Sequence, residues 1–571
     1  MKRVAVCRLP EAYPRALSIA AKVIADLSTS LLSFSAMLEG LDYLVLGSYF
    51  VVVALIGFLS SRGQRSGEDY FLGSRSIPFW AAGLSIIATE TSALTFLGAP
   101  TQSLFGAWTY IQLAIGSILA RFVVASILIP AYYKARVYTV YGYLEERFGR
   151  WSKNLATLLF MVGRSLGSGV RLYGAAIAFT ILVPSVDYWV VIASIAAVAV
   201  AYTLAGGIRS VIWTDVLQGL LLFVGGGVAL VYLWMQAPAG SWELLQSAET
   251  AGGTPKLAWL DWGFRQVDGR THYAWGESYT MIGGVIGVLF LTMATHGTDQ
   301  DMIQRSLTCR DQRGGKRSLW VSAALIVPIV AIFLSIGSLL FAHYGSNAAV
   351  EAQQRLLEVE HGLPAGKGRD YIFPFWILTN LPSGLKGLIL AGLFAAAMSS
   401  LDSAVAALSS TAVNNFYRPY IAPGREDAHY LRAGRIASLV CGVLLVGVAM
   451  LVFNREGRGS TSAGFGVLVL GLEVLTWIFP PLLGVFLVGV LTKRGHDLGN
   501  VLALVVAISV LLGVKFWKSL APFFGHEVSA TSGDLWAWVW NPPIGCAVSF
   551  LIAVAFPASR SPSLASRSQT P

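Results

Sequence analysis

Apolar residues fall in runs of roughly 20 with few charges, the length a helix needs to cross a bilayer core. The clearest are YLVLGSYFVVVALIGFLSS (43–61), VVIASIAAVAVAYTLAG (190–206), LWVSAALIVPIVAIFLSIGSLLFA (319–342) and IASLVCGVLLVGVAMLVF (436–453). Others lie at 78–105, 111–134, 155–182, 208–236, 276–305, 384–417, 463–491, 497–515 and 538–557. The pattern predicts an all-α polytopic membrane protein with about 13 transmembrane helices. Alternation with period two, the mark of barrel strands, is absent.

Composition agrees. Only 13% of the 571 residues are charged and 55% are apolar, against about 25% charged in a soluble protein. Mean hydropathy is +0.63. The solvent for most of this chain is therefore lipid.

A net charge of +10 raises the question of nucleic acid, and its distribution answers it. Basic residues sit in alternate loops: Arg62, Arg65 and Arg75; Lys134, Arg136, Arg147, Arg150 and Lys153; Arg305, Arg310, Arg313, Lys316 and Arg317; Arg418, Arg425, Arg432 and Arg435; Lys493 and Arg494. This positive-inside pattern points to a multi-pass inner (plasma) membrane protein with a cytoplasmic C-terminus, loops 237–275 and 345–371 outside, and no nucleic-acid partner. Cys7, Cys309, Cys441 and Cys546 are scattered without CxxC spacing, which predicts neither a disulfide framework nor a metal cluster. The tail 558–571 reads as disordered. Residues 1–42 stay open between an extra span, an interfacial helix and a start placed too far upstream, because Lys22 and Asp26 interrupt the apolar stretch 16–38.

Ionisable groups inside spans cost about 2.5–3.5 kcal/mol each on insertion scales, so each needs a reason. They are Glu90, Arg121, Arg164, Arg171, Asp215, Asp402 and Glu473. Arg121 is equally explained by snorkelling to the interface. Asp402 lies deep in AGLFAAAMSSLDSAVAALSSTAVNNF (391–416), where Ala396, Ser399, Ser400 and Ser403 recur at spacings of three or four and share a face. Small residues alone fit a close helix crossing. With Asp402 beside them, the hydroxyls and carboxylate read as hard oxygen ligands for a cation.

Two spans are interrupted at their middles: ATETSALTFLGAP (88–100) and MATHGTDQ (293–300). One interruption is a kink; a pair is the sequence sign of an inverted-repeat transporter, in which unwound backbone frees carbonyls for an ion.

These residues also carry a family resemblance. DYFLGSRSIPFWAAGLSIIATETSALTFLGAP (69–100), VYTVYGYLEERFG (137–149), GGIRSVIWTDVLQG (206–219), TDQDMIQRSL (298–307) and GLILAGLFAAAMSSLDSAVAALSSTAVNNFY (387–417) resemble the sodium/solute symporter family, which includes sodium–glucose, –proline, –sialic acid and –monocarboxylate carriers. The resemblance implies a LeuT-like core of two inverted five-helix repeats with two discontinuous helices. Here the repeats fall at 78–236 and 276–491, with a leading helix at 43–61 and two C-terminal helices in 497–557. It also implies a sodium site on Ala88, Thr91, Ala396, Ser399 and Ser400, with Na+ as the co-transported ion and no organic cofactor. A second cation site of some members falls on Asp215, Ser399, Asp402 and Ser403. Asp402 stands where those members commonly have Ser or Thr, so it either completes that site or carries a proton.

The solute candidates are Thr91, Thr95, Arg164, Arg171, Thr295, His296 and Glu473. Thr295 and His296 stand where the sugar carriers have an aromatic gate, and an arginine on the helix of Arg164 and Arg171 suits a carboxylate by bidentate pairing. Pairing with Glu90, Glu473 or a lipid headgroup explains those arginines equally. The expectation is a sodium-coupled symporter, functional as a monomer in the bilayer, that imports a small organic solute of carboxylate rather than sugar type by alternating access. A proton-coupled carrier of the same fold, or a channel, is the alternative. Nothing points to an enzyme: no HExxH or His-rich constellation is present.

Overall fold

The computed structural model describes residues 38–62, 64–182, 188–360, 366–456, 466–517 and 536–558. Residues 1–37 and the tail 559–571 lie outside them, and with them the expected disordered tail and most of the N-terminal segment, whose helix is an open reading. Most described residues are helical. In chain order the helices are α1 (Gly40–Ser61), α2 (Gly67–Leu72), α3 (Phe79–Glu90), α4 (Ala93–Phe105), α5 (Gln112–Ala135), α6 (Val140–Arg147), α7 (Arg150–Leu182) and α8 (Tyr188–Met235). After the short α9 (Ser241–Ser247) come α10 (Met281–Thr298), α11 (Gln300–Leu307), α12 (Gln312–Tyr344), α13 (Asn347–Glu360) and α14 (Ile372–Asn380). The chain continues through α15 (Leu385–Thr411), α16 (Asp427–Glu456), α17 (Gly466–Leu491), α18 (Asp497–Lys515) and α19 (Asn541–Ala555). Among the described residues, nine helices are long and apolar enough to cross a membrane.

The expected spans 190–206 and 208–236 form the single element α8, broken at Gly207 (φ 54°, ψ −151°). That backbone favours glycine, and a Cβ there would lie 2.4 Å from the Tyr70 carbonyl oxygen. The sharp turn sets the α2 segment against α8.

Burial separates centre from rim. The most apolar stretch of α15 is 94% buried, whereas those of α1 and α16 are 22% and 33% buried. A helix apolar all round belongs in the interior; α15 is that helix, packed on α8, α7 and α16. The outward faces of α1 and α16 carry exposed Leu44, Val51, Leu55, Val440 and Val443, which suits lipid.

The only strands among the described residues are a hairpin, β1 (Phe264–Val267) and β2 (Arg270–Tyr273), closed by Asp268–Gly269, both with positive φ. Asp-Gly favours this two-residue turn. The same connection between α9 and β1 delivers Lys256. Its Nζ donates to the Leu104 carbonyl at 2.6 Å and sits 4.1 Å from the Phe341 ring centre, capping the C-terminal end of α4, where the helix dipole favours a cation. Burial lowers the Lys256 pKa to about 8. A depressed lysine pKa means that the docked state binds protons less readily than the free chain, so its stability rises with pH from about 8 towards the ordinary 10.5. The unfolding temperature of the wild type, measured relative to a Lys256→Met variant, is expected to increase over that window; a flat difference argues against the docked lysine.

Candidate functional site

The first predicted interruption lies between α3 and α4. Thr91 (φ −83°, ψ 87°) and Ser92 (φ −90°, ψ 175°) leave the helical region. The Ser92 N–H goes to the Glu90 carbonyl at 3.1 Å and the Thr95 N–H to the Ser92 carbonyl at 2.9 Å. The i−4 partners that these N–H groups would have in a continuous helix are the carbonyls of Ala88 and Thr91, and both are thereby released from the helical ladder. The Ala88 carbonyl accepts the Ser399 hydroxyl at 3.2 Å. Ser399 and Ser400 also donate to the Ala396 carbonyl, each at 3.3 Å. Ala88, Ala396, Ser399 and Ser400 are therefore brought together, with Thr91 buried one turn on from Ala88.

The second interruption falls at Asp299 (φ −83°, ψ 119°), between α10 and α11. Here the protein itself takes the freed carbonyls. Tyr132 OH donates to the Gly297 carbonyl at 2.5 Å and Tyr141 OH to the Thr298 carbonyl at 2.8 Å.

Between the two interruptions lies a cavity of about 150 Å³. Thr91, Thr95, Arg164, Arg171, Thr295 and His296 all line it. Glu473 does not: it is held by Lys515 of α18 at 2.8 Å, and that ion pair accounts for its place in a span. Arg171 donates to the Thr89 carbonyl at 3.2 Å, another carbonyl next to the first break. Glu90, also on the cavity wall, is in direct contact with Arg121. Arg121 is fully buried, so it does not snorkel; its guanidinium is turned inward to Glu90, Ser117 and Ser322.

Arg164 is paired, but not with the partners anticipated. Its Nη1 is 3.4 Å from Asp299 Oδ2 and its Nη2 touches Asp301. Asp301 is shared: Arg305 Nη1 donates to its Oδ1 at 2.8 Å. Arg305 itself is fully buried, which corrects its grouping with the loop cations; the alternate-loop reading keeps Arg310, Arg313, Lys316 and Arg317 there. The second group of candidates also meets in space. Asp402 accepts from Tyr202 OH at 2.5 Å, and its other oxygen lies 3.0 Å from Ser403 Oγ. Asp215 accepts from Ser85 Oγ at 2.5 Å and from Arg305 Nη2 at 3.1 Å. Ser403 donates to the Ser399 carbonyl, joining this group to the first.

Sequence reasoning missed Asp299, Asp301 and Arg305. The signal was present in TDQDMIQRSL, where an Asp that caps a helix start is followed by Asp and Arg four apart on one face. Because the stretch sits at the end of an apolar run, its charges read as a loop.

A sequence profile described as the sodium:solute symporter family matches residues 70–507. The chain belongs to this family. Membership makes it a multi-pass membrane transporter rather than an enzyme, as the resemblance implied. Among its relatives, the sodium/sialic acid symporter of Proteus mirabilis is 29% identical over 497 residues, covering 86% of this chain and 93% of the relative. Human sodium-coupled monocarboxylate transporter 1 is 26% identical, covering 84% of this chain and 74% of the relative. The substrate-bound, outward-open structure of a Na+-coupled sialic acid symporter superposes with a TM-score of 0.75 at 27% identity, covering 90% of this chain and 97% of that one.

Proposed function

We propose that this transporter imports a small organic carboxylate together with sodium, the ion binding at Ala88, Thr91, Ala396, Ser399 and Ser400. The observation that carries this reading is the first helix break. It frees the Ala88 and Thr91 carbonyls beside the Ser399 hydroxyl, and the adjoining cavity is lined by Arg164 and Arg171. Carbonyl and hydroxyl oxygens suit a hard monovalent cation, and a guanidinium suits a carboxylate. Sodium-coupled relatives that carry sialic acid and monocarboxylates support the same solute class. In this reading the carrier works as a monomer in the plasma membrane with its C-terminus in the cytoplasm. Its thirteen spans include two inverted five-helix repeats, 78–236 and 276–491, that alternate access to the cavity. A proton-coupled carrier of the same fold is the second reading. It is favoured by Asp402, a fully buried carboxylate that is in no ion pair among the described residues.

The test is uptake into proteoliposomes of sialic acid, lactate, glucose and proline, each driven by a sodium or a potassium gradient. Uptake of an acid with sodium alone is expected, and Ser399→Ala should reduce the sodium stimulation at least tenfold, the effect of about 1.4 kcal/mol of lost ion binding. Sodium stimulation unaltered by Ser399→Ala removes the ion from this site. Uptake confined to glucose removes the carboxylate.

A further inference from the structure

Two acceptor atoms with no hydrogen between them meet on the cavity wall. His296, on α10 just before the second break, is almost completely buried, and its Nε2 has no hydrogen-bond partner among the described residues. The other ring nitrogen fixes where the proton sits. The Thr295 hydroxyl donates its single hydrogen to the Leu291 carbonyl at 3.1 Å, so its oxygen accepts from His296 Nδ1–H, also at 3.1 Å. Nε2 of the neutral ring is therefore a bare acceptor. It lies 3.8 Å from Oε2 of Glu90, the last residue of α3. A second proton on the ring would set an imidazolium beside the Arg121 guanidinium, which already neutralises Glu90. Both His296 and Glu90 line the cavity, and the Glu90 side chain is 26% exposed, so the pair faces the space that a solute enters.

We propose that His296 and Glu90 read a hydroxyl or amide N–H on the solute, so that this transporter selects acids carrying such a group over plain aliphatic acids. The inference rests on the carboxylate reading of the cavity and adds a second functional group to it. The charges on the wall decide against an ammonium. Arg164 is paired with Asp299 and Asp301, and Arg121 with Glu90. Arg171, bonded to the Thr89 carbonyl, is the lining cation without an acid among the described residues. One carboxylate answers it. With Glu90 already balanced by Arg121, an ammonium at the acceptor pair has no charge to meet, whereas a neutral donor fits. Trp538, just before α19, narrows the choice further. It lines the same cavity with a buried Nε1–H that has no acceptor among the described residues. A hydroxyl or an amide both donates and accepts; an ammonium only donates. An aliphatic acid leaves His296 Nε2 and Trp538 Nε1 unpaired when it displaces water from the cavity. A site built to hydrogen-bond a polar group rejects the analogue lacking it far more strongly than an apolar pocket rejects a misfit.

Acids matched in carbon number separate the two functional groups. The purified full-length protein in detergent with sodium is titrated with lactate against propionate, with gluconate against hexanoate, and with sialic acid. The readout is the concentration that gives half the maximal rise in unfolding temperature, since a bound ligand stabilises by mass action. A hydroxylated acid is expected to act at a concentration at least about tenfold below its plain counterpart. In His296→Phe the hydroxylated acids should weaken to the level of the plain ones, which stay as they were. His296→Gln, whose amide oxygen is again an acceptor, should recover part of the difference. A plain acid that stabilises the wild type as well as its hydroxylated counterpart overturns the proposal. So does a preference that survives His296→Phe, because the hydroxyl is then read elsewhere. Where His296→Phe lacks a cooperative transition, Thr295→Val carries the same test: it frees the ring proton to move to Nε2, and the preference should fall. Failure of all five acids to stabilise the wild type is a different result, which removes the carboxylate reading and this one with it.

Discussion

Asp301→Ala is expected to destabilise the protein by about 3–5 kcal/mol, the usual cost of removing one partner from a buried ion pair. Asp301 is almost completely buried and touches two guanidiniums, Arg164 and Arg305, from opposite sides. Without it, Arg164 keeps only the longer contact to Asp299 at 3.4 Å, and Arg305 keeps Asp215 at 3.1 Å. Two positive charges are then under-compensated in a region closed to water. Asp301→Asn leaves an oxygen to accept from one arginine and is expected to lose less. Thermal unfolding of the purified variants in detergent separates the cases. An alanine variant as stable as the wild type shows that the ion-pair chain does not support the fold.

Gly337→Val is the second large effect, expected to cost about 3 kcal/mol or more through overpacking. Gly337 lies in α12 where it crosses α4. A Cβ built there lies 2.0 Å from the Pro100 carbonyl oxygen and 2.2 Å from Ser103 Oγ. The first of these is backbone and cannot rotate away. The crossing is further fixed by Ser103, which donates to the Leu334 carbonyl at 2.6 Å. Because α4 begins at the first helix break, forcing α12 away also shifts the end of the helix that carries Thr95 into the cavity. Gly227 in α8 is the control: a Cβ there meets nothing within 4 Å, and Gly227→Ala should be neutral or gain up to about 1 kcal/mol from helix propensity. Expression and unfolding temperature of the three proteins report the difference. Equal losses at 227 and 337 mean that helix flexibility, not close approach, is being measured.

Much of this arrangement was legible in the residues. Long apolar runs are an unambiguous demand of the bilayer, so most helices were found to within a few residues. Both interruptions were found because hydroxyls and glycines dilute an apolar run only where backbone is unwound or a small side chain is needed. The cluster around Ser399 was visible for the same reason: polarity in lipid is expensive, and it recurred on one face. Pairings were not legible. Arg164 was recognised as a costly charge, but its partners lie about 135 residues downstream, and no local rule connects them. Arg305 was hidden by its address at the end of a span, where a basic residue ordinarily reaches water. Glu473 failed in the opposite way, since a carboxylate inside a span is no solute ligand when a lysine on the next helix holds it.

The tyrosine bonds at the second break bear on how the molecule can move. Tyr132 and Tyr141 tie the Gly297 and Thr298 carbonyls to α5 and α6, so bending at Asp299 must either break two buried hydrogen bonds or carry those helices along. Among the described residues no tyrosine straps the Ala88 or Thr91 carbonyl; the Ala88 carbonyl accepts the Ser399 hydroxyl. The two discontinuities are alike in backbone and unlike in mechanics. One is a fixed elbow, set rigid by the protein. The other, in the sodium reading proposed above, is a joint whose stiffness depends on its cargo.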